Sequence, residues 1–183
     1  MPLGWEEVNP KQPDNNGRTP LSYATDKGNE GVVKLLLRRE EVNPDTQDNY
    51  SQTPFSFAAE VGPEGVAKIL LRQDEVNPDK PANGGIPPLS HAARCGREGV
   101  AKIQLERGEV NTEKPDNDGR IPLSWAAGGG CEGAVKILLR PEGVDPNKPD
   151  REGQTQLMFA TRYGRQGMIV LLRSHKAVTH STT

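Results

Sequence analysis

Residues Gly17 to Leu37 read GRTPLSYATDKGNEGVVKLLL, and variants of this stretch return four more times along the chain. Thr19-Pro20 reappears as Thr53-Pro54, Pro87-Pro88, Ile121-Pro122 and Thr155-Gln156, each 34 residues after the last. A fixed period in the range of about 20–50 residues marks a solenoid, in which each unit buries its apolar face on its neighbours. Every copy has the same grammar. Thr19 is placed to cap a helix and Pro20 to begin it, where a missing N–H costs nothing. Leu21, Ala24 and Thr25 make a short stripe at helical spacing, and Gly28 ends it. Gly62, Gly96, Gly130 and Gly164 repeat Gly28, a register that suits a left-handed helix cap. A second helix is expected from Glu30 to Arg39. Its buried side reads Val32, Val33, Leu35, Leu36 and Leu37, with later copies that include Val66, Val100, Val135 and Met168. Glu30–Lys34, Glu64–Lys68, Glu98–Lys102 and Glu132–Lys136 are spaced for outer-face ion pairs, each worth about 0.2–0.5 kcal/mol.

Between helix pairs lies a stretch rich in Pro, Asn and Asp, such as Val42 to Gln52, that suits an extended arm with a tight turn. Asn16-Gly17 and Asp118-Gly119 are the turn signals, and Ser51 replaces the glycine once. The chain therefore divides into a partial unit over 1–18 that caps the start, an array of five helix pairs over 19–174, and a polar, disordered tail over 175–183 that holds His175 and His180.

Composition narrows the function. Only 33% of the 183 residues are hydrophobic, below the usual ~45–50% but suited to a thin stack with much surface. A net charge of −2, from 23 basic and 25 acidic residues, makes no field that gathers nucleic acid or membrane. No apolar run of about 18 residues exists to span a bilayer. The start lacks the basic and apolar regions of a secretory signal. Two cysteines, Cys95 and Cys131, imply no disulfide framework and fit a reducing, cytoplasmic setting.

T-P-L-S-Y-A, with a glycine nine residues after the threonine and then V-V-K-L-L-L, resembles the ankyrin repeat. So does I-P-L-S-W-A-A-G-G-G-C-E-G-A-V-K-I-L-L at 121–139, and the likeness covers about residues 8–178. The resemblance implies an all-α solenoid of helix-turn-helix units with β-turn and hairpin loops. It also implies a concave face, lined by hairpin tips and first helices, that binds another protein. The chain departs from the common pattern in several places. Ser22, Ser56, Ser90, Ser124 and Met158 stand where the family usually has histidine, and the period is 34 rather than about 33 residues. Gln104 stands in a leucine register, where a buried amide must either snorkel or bond to the next unit.

Registers that stay constant hold the stack; registers that vary are available to a partner. Tyr23, Phe57, His91, Trp125 and Phe159 form a ladder along the first helices. Two roles fit these side chains: packing between neighbouring helices, or anchors whose edges reach the groove. The ends of the first helices vary as Asp26 and Lys27, Glu60 and Val61, Arg94 and Cys95, Gly128 and Gly129, then Arg162 and Tyr163. The tips vary through Arg18, then Tyr50 and Gln52, then Ile86, then Arg120. Gly128-Gly129-Gly130 either leaves a pocket beneath Trp125 or only weakens a helix end.

These residues favour a protein-binding scaffold. The alternative is an enzyme or small-molecule binder that uses Glu60, His91, Arg94 and Tyr163 around Trp125 and Arg162. His91 and Cys95 lie four apart on one helix, but no orienting third group is evident, and two ligands are too few for a metal. No cofactor is called for. Nucleic acid is disfavoured because the groove mixes Arg with Asp and Glu. The first helix pair keeps a full apolar set with only residues 1–18 before it. Leu3 and Trp5 fold over it, or it self-associates end to end, or the chain is a piece of a longer array.

Overall fold

The computed structural model describes residues 9–140 and 144–179, with side chains described as far as 174. Leu3, Trp5, Val8 and His180 lie outside the described residues, and with them the expectation that Leu3 and Trp5 cover the first unit. All five helix pairs form. They are α1 (Pro20–Asp26) with α2 (Glu30–Leu36), α3 (Pro54–Val61) with α4 (Glu64–Leu70), and α5 (Pro88–Arg94) with α6 (Glu98–Glu106). Then come α7 (Pro122–Gly129) with α8 (Glu132–Leu138), and α9 (Gln156–Arg162) with α10 (Gln166–Thr179). First helices pack in one row and second helices in another, each on the copy one unit away. Among the described residues there is no strand.

The helix starts follow from local chemistry. Thr19 accepts the Ser22 amide at 3.2 Å and Thr53 that of Ser56 at 3.1 Å, while Ser56 Oγ accepts the Thr53 amide in return. Pro87 and Ile121 have no side-chain oxygen to offer, and Thr155 makes no such bond. At the other end, the five glycines of the Gly28 register all take positive φ, between +64° and +97°. That conformation costs a residue with a Cβ about 1–2 kcal/mol.

The hairpin turns stack one on the next. The Asn49 amide donates to Asn16 O, Asn83 to Tyr50 O, Asn117 to Gly84 O and Arg151 to Asp118 O, at 2.8–3.0 Å. At the base of the arms, Lys80 Nζ reaches Asp45, Lys114 Nζ reaches the Asp79 carbonyl, and Lys148 Nζ reaches Glu113, at 2.6–3.0 Å. Ser51, at φ +58°, is the non-glycine among the positive-φ turn residues Gly17, Gly85, Gly119 and Gly153. Ser51→Gly is therefore expected to stabilise the array by about 0.5–1 kcal/mol, the relieved strain less the extra chain entropy of glycine. Urea denaturation measures this, and a loss of stability would refute it.

Several expectations are corrected. The second helix of the first unit ends at Leu36 and not at Arg39. Val33 is fully buried, but Val32 and Leu35 are 39% and 61% exposed. Their counterparts Val66 and Ile69 are covered or half-covered because a preceding unit lies against them. Only one of the four outer-face ion pairs is closed among the described residues, Glu30–Lys34 at 3.4 Å. Instead, Glu30, Glu64, Glu98 and Glu132 lie over Gly65, Gly99, Gly133 and Gly167 at the start of the next second helix. Each carboxylate oxygen occupies space that a Cβ on that glycine would need. The N-terminal end of a helix favours a carboxylate, so these glutamates link neighbouring units. Gln104 is fully buried, and its Nε2 donates at 2.8 Å to Pro78 O of the preceding unit, not the next. Finally, α10 continues to Thr179, so residues 175–179 of the expected tail are helical. No glycine or proline follows Leu172 to stop it.

Candidate functional site

The first helices and the hairpin tips share one face, and the variable registers meet there. Phe57, His91 and Phe159 are buried, Trp125 is half-buried and Tyr23 is 42% exposed. The packing role thus describes three of the five, while two also present an edge. Tip arginines intercalate in the ladder. Arg18 lies 4.4 Å from the Tyr23 ring and 4.3 Å from that of Phe57. Arg120 lies 5.6 Å from Trp125 and 5.9 Å from Phe159, and Arg94 covers Trp125 at 5.6 Å. At these distances a guanidinium is attracted to the ring faces. Gln52 and Ile86, in the Arg18 register, are half-buried.

A third register organises this face: Asp14, Asp48, Ala82, Asp116 and Asp150, each nine residues before a ladder residue. One oxygen of each aspartate closes the tip. Asp116 Oδ1, for example, accepts the Asp118 and Arg120 amides, both at 2.9 Å. In two units the other oxygen serves the ladder. Asp14 Oδ2 accepts the Tyr23 hydroxyl at 2.7 Å, and Asp116 Oδ2 the Trp125 indole N–H at 3.0 Å. The bond to Asp14 pushes the Tyr23 hydroxyl pKa up, and the same bond pulls the Asp14 carboxyl down. The pairing fails in three units. Asp150 faces Phe159, which has no donor, and its Oδ2 lies 3.9 Å from Arg120 Nε. Asp48 faces Phe57, which has no donor, and its Oδ2 is buried without a protein partner. His91 is matched with Ala82, and both of its ring nitrogens are buried without a protein partner. Burial lowers the His91 pKa; Glu60 opposes this with a smaller upward pull, and Arg94 adds to the lowering.

Charged residues pair along the rim. Arg18 and Lys27 both reach Asp26, at 3.6 and 3.1 Å. Glu60 accepts Gln52 Nε2 at 3.3 Å and lies 3.5 Å from Arg94. Arg120 lies 3.0 Å from Asp118 and 3.9 Å from Asp150. Arg162 donates to the Gln154 side chain at 3.3 Å. Tyr50 and Tyr163 stand clear, 57% and 55% exposed.

The glycine run does leave a cleft. It measures about 210 Å³ and lies beside Trp125, walled by Phe159 and Tyr163, with Arg94 and Arg120 at its edge. Gly128 and Gly129 belong to α7 and Gly130 caps it, so the run does not merely end the helix early. A Cβ on Gly129 would stand 2.7 Å from Arg94 O, so α5 and α7 approach closely only because that atom is missing. A Cβ on Gly128 would reach the Tyr163 ring at 3.6 Å, inside the cleft.

The residues considered for catalysis do not make a relay among the described residues. The His91 ring bonds to no protein neighbour, and Cys95 makes no side-chain bond to it. Cys131 Sγ donates to Arg94 O at 3.2 Å, and burial, then nearby Cys95, pushes its pKa up. No group of three described His, Cys, Asp or Glu side chains could hold a metal ion. No described helix is long and apolar enough to cross a membrane. Sequence reasoning missed the aspartate register, although its nine-residue spacing to the ladder is visible in four units.

A family model described as ankyrin repeats (3 copies) matches residues 3–82 and again 89–182. No curated protein matches the chain. With that match over nearly its whole length, and with stacked helix pairs throughout, the chain belongs to the ankyrin-repeat family.

Proposed function

We propose that the chain is a scaffold that binds another protein along its concave face, as ankyrin repeats generally do. One observation carries this reading: the residues that differ between units, among them Arg94, Trp125 and Tyr163, converge on a single face and border an apolar cleft there. Exposed aromatic and arginine side chains are the types that dominate binding energy at interfaces. Free Cys95 and Cys131 fit a cytoplasmic setting, which is part of the same proposal.

The test compares two double variants of the full chain in affinity capture. Arg94→Ala with Tyr163→Ala removes exposed groove side chains. Lys68→Glu with Lys102→Glu alters the exposed outer face to the same extent. The groove variant is expected to lose captured protein by about tenfold or more with its melting temperature unchanged, and the outer variant to retain it. Loss confined to the outer variant, or equal capture by both, would overturn the reading.

A further inference from the structure

We propose that the cleft beside Trp125 takes one aromatic or bulky aliphatic side chain from a partner segment whose flanking residues are acidic. This deepens the scaffold reading and rests on it. A cleft of about 210 Å³ is smaller than the ~300–1,000 Å³ usual for small-molecule sites and suits a single side chain. Its walls are rings, and its floor is bare helix backbone at Gly128 and Gly129. An apolar group that enters meets Trp125, Phe159 and Tyr163 and displaces water from them.

Charge decides what flanks that group. Along the groove the first-helix register reads Asp26, Glu60, Arg94, Gly128, Arg162, and the register three residues on reads Asn29, Pro63, Arg97, Cys131, Arg165. Acid lies at the first two units and arginine at the third and fifth, the units on either side of the cleft floor at Gly128. Arg94 and Arg120, which line the cleft, each touch a carboxylate, while the other three arginines there are held by neutral acceptors. Arg97 Nε donates to Glu60 O at 2.9 Å, Arg165 Nε to Gly128 O at 3.3 Å, and Arg162 to Gln154. Among the described residues neither Arg162 nor Arg165 joins an ion pair, and Arg94 keeps only its 3.5 Å contact with Glu60. A guanidinium has five N–H donors, so each of these has several to offer a carboxylate, which it matches two bonds at a time. A single-stranded nucleic acid would also use arginine and rings. Such a strand needs a continuous cationic track, which Asp26 and Glu60 interrupt by neutralising the basic groups beside them, whereas a short peptide at the cleft does not, so the observations favour the peptide.

The test is selection from a random-peptide library on the full chain, after depletion on Gly128→Val, which fills the cleft from its floor. Peptides with an aromatic or leucine residue beside aspartate or glutamate are expected to be enriched. The best of them should bind about tenfold more weakly to Gly128→Val and to Arg94→Gln with Arg162→Gln, and about tenfold more weakly when its carboxylates become amides. The melting temperature of each variant is measured alongside. A variant that does not fold is replaced by Gly128→Ala, whose methyl group meets the Tyr163 ring at ordinary contact distance. An enriched pool without acidic residues, no enrichment at all, indifference to the cleft variants, or tighter binding of a uridine oligonucleotide with the same arginine dependence would each overturn the proposal. The scaffold reading is judged separately. If the groove double variant still loses its captured protein while the peptides fail, only the cleft assignment falls.

Discussion

Asp116→Ala is expected to lower stability by about 3 kcal/mol and to shift tryptophan emission to the red. Asp116 is 5% exposed and makes three bonds through two oxygens: the Trp125 indole on one, the Asp118 and Arg120 amides on the other. Bonds to a charged acceptor are worth roughly 1.5–3 kcal/mol apiece, but they are not additive, and water reaches the two tip amides once the carboxylate is gone. The indole N–H is the costlier loss because the ring is wedged between Arg94 and Arg120. Asp48→Ala is the control. Its Oδ1 closes the same turn, accepting the Tyr50 and Gln52 amides at 2.8 and 2.9 Å, but its Oδ2 serves no ladder donor. It should cost about half as much, so the difference between the two variants isolates the indole bond. Equal losses in urea denaturation would mean that the aspartate acts only on the turn. Because Trp125 walls the cleft, Asp116→Ala should also weaken any partner that uses it.

These pairings show what kind of information a single sequence holds. The stack was legible because its causes are local and repeated: Pro20 and its copies start helices, the Gly28 register ends them, and the 34-residue period sets the neighbours. The ladder was legible as a register, and so was the set of residues that differ between units. Less legible were bonds whose partner lies one unit away. Glu64 and Lys68 have the spacing of a helix-face pair, yet the stack brings Gly99 closer to Glu64 than local pattern reveals. Val32 and Leu35 belong to an apolar stripe, but periodicity cannot say whether anything covers it. Gln104 was recognised as a misfit, while its acceptor, Pro78 O, is a backbone atom that no residue identity announces. Three glycines in sequence suit a cleft and a weak helix end equally, and only the packing decides between them. The close approach of Arg94 O to Gly129 was not legible, because it depends on how tightly α5 and α7 pack.

The unit that lacks the aspartate supplies the converse experiment. Ala82→Asp is expected to raise stability by about 1–3 kcal/mol, against the usual sign for placing a carboxylate at a buried position. The turn at Ala82 already has the same backbone as its aspartate counterparts: its amide donates to Ile86 O at 2.9 Å, and Gly85 donates to Ala82 O at 3.0 Å. A carboxylate there would find the Gly84 and Ile86 amides where Asp116 finds those of Asp118 and Arg120. Its second oxygen would face His91, 8% exposed and without a protein partner on either ring nitrogen. The pH dependence gives the claim a second readout. In the natural chain, burial depresses the His91 pKa below its unfolded value near 6.5. The unfolded chain then binds the proton first, so stability is full above that value and declines as pH falls towards the folded pKa. In Ala82→Asp the carboxylate favours the imidazolium and raises the folded pKa. The contribution of His91 is then full below the unfolded pKa and fades as pH rises through the folded one. Glu60 and Arg94 face His91 in both proteins, so their influence largely cancels in the comparison. The gain from the substitution should therefore be larger near about pH 5.5 than near about pH 8, where chiefly the turn bonds remain. A gain independent of pH would assign the whole effect to the turn, and a loss at both values would show that His91 and a carboxylate at this position do not meet.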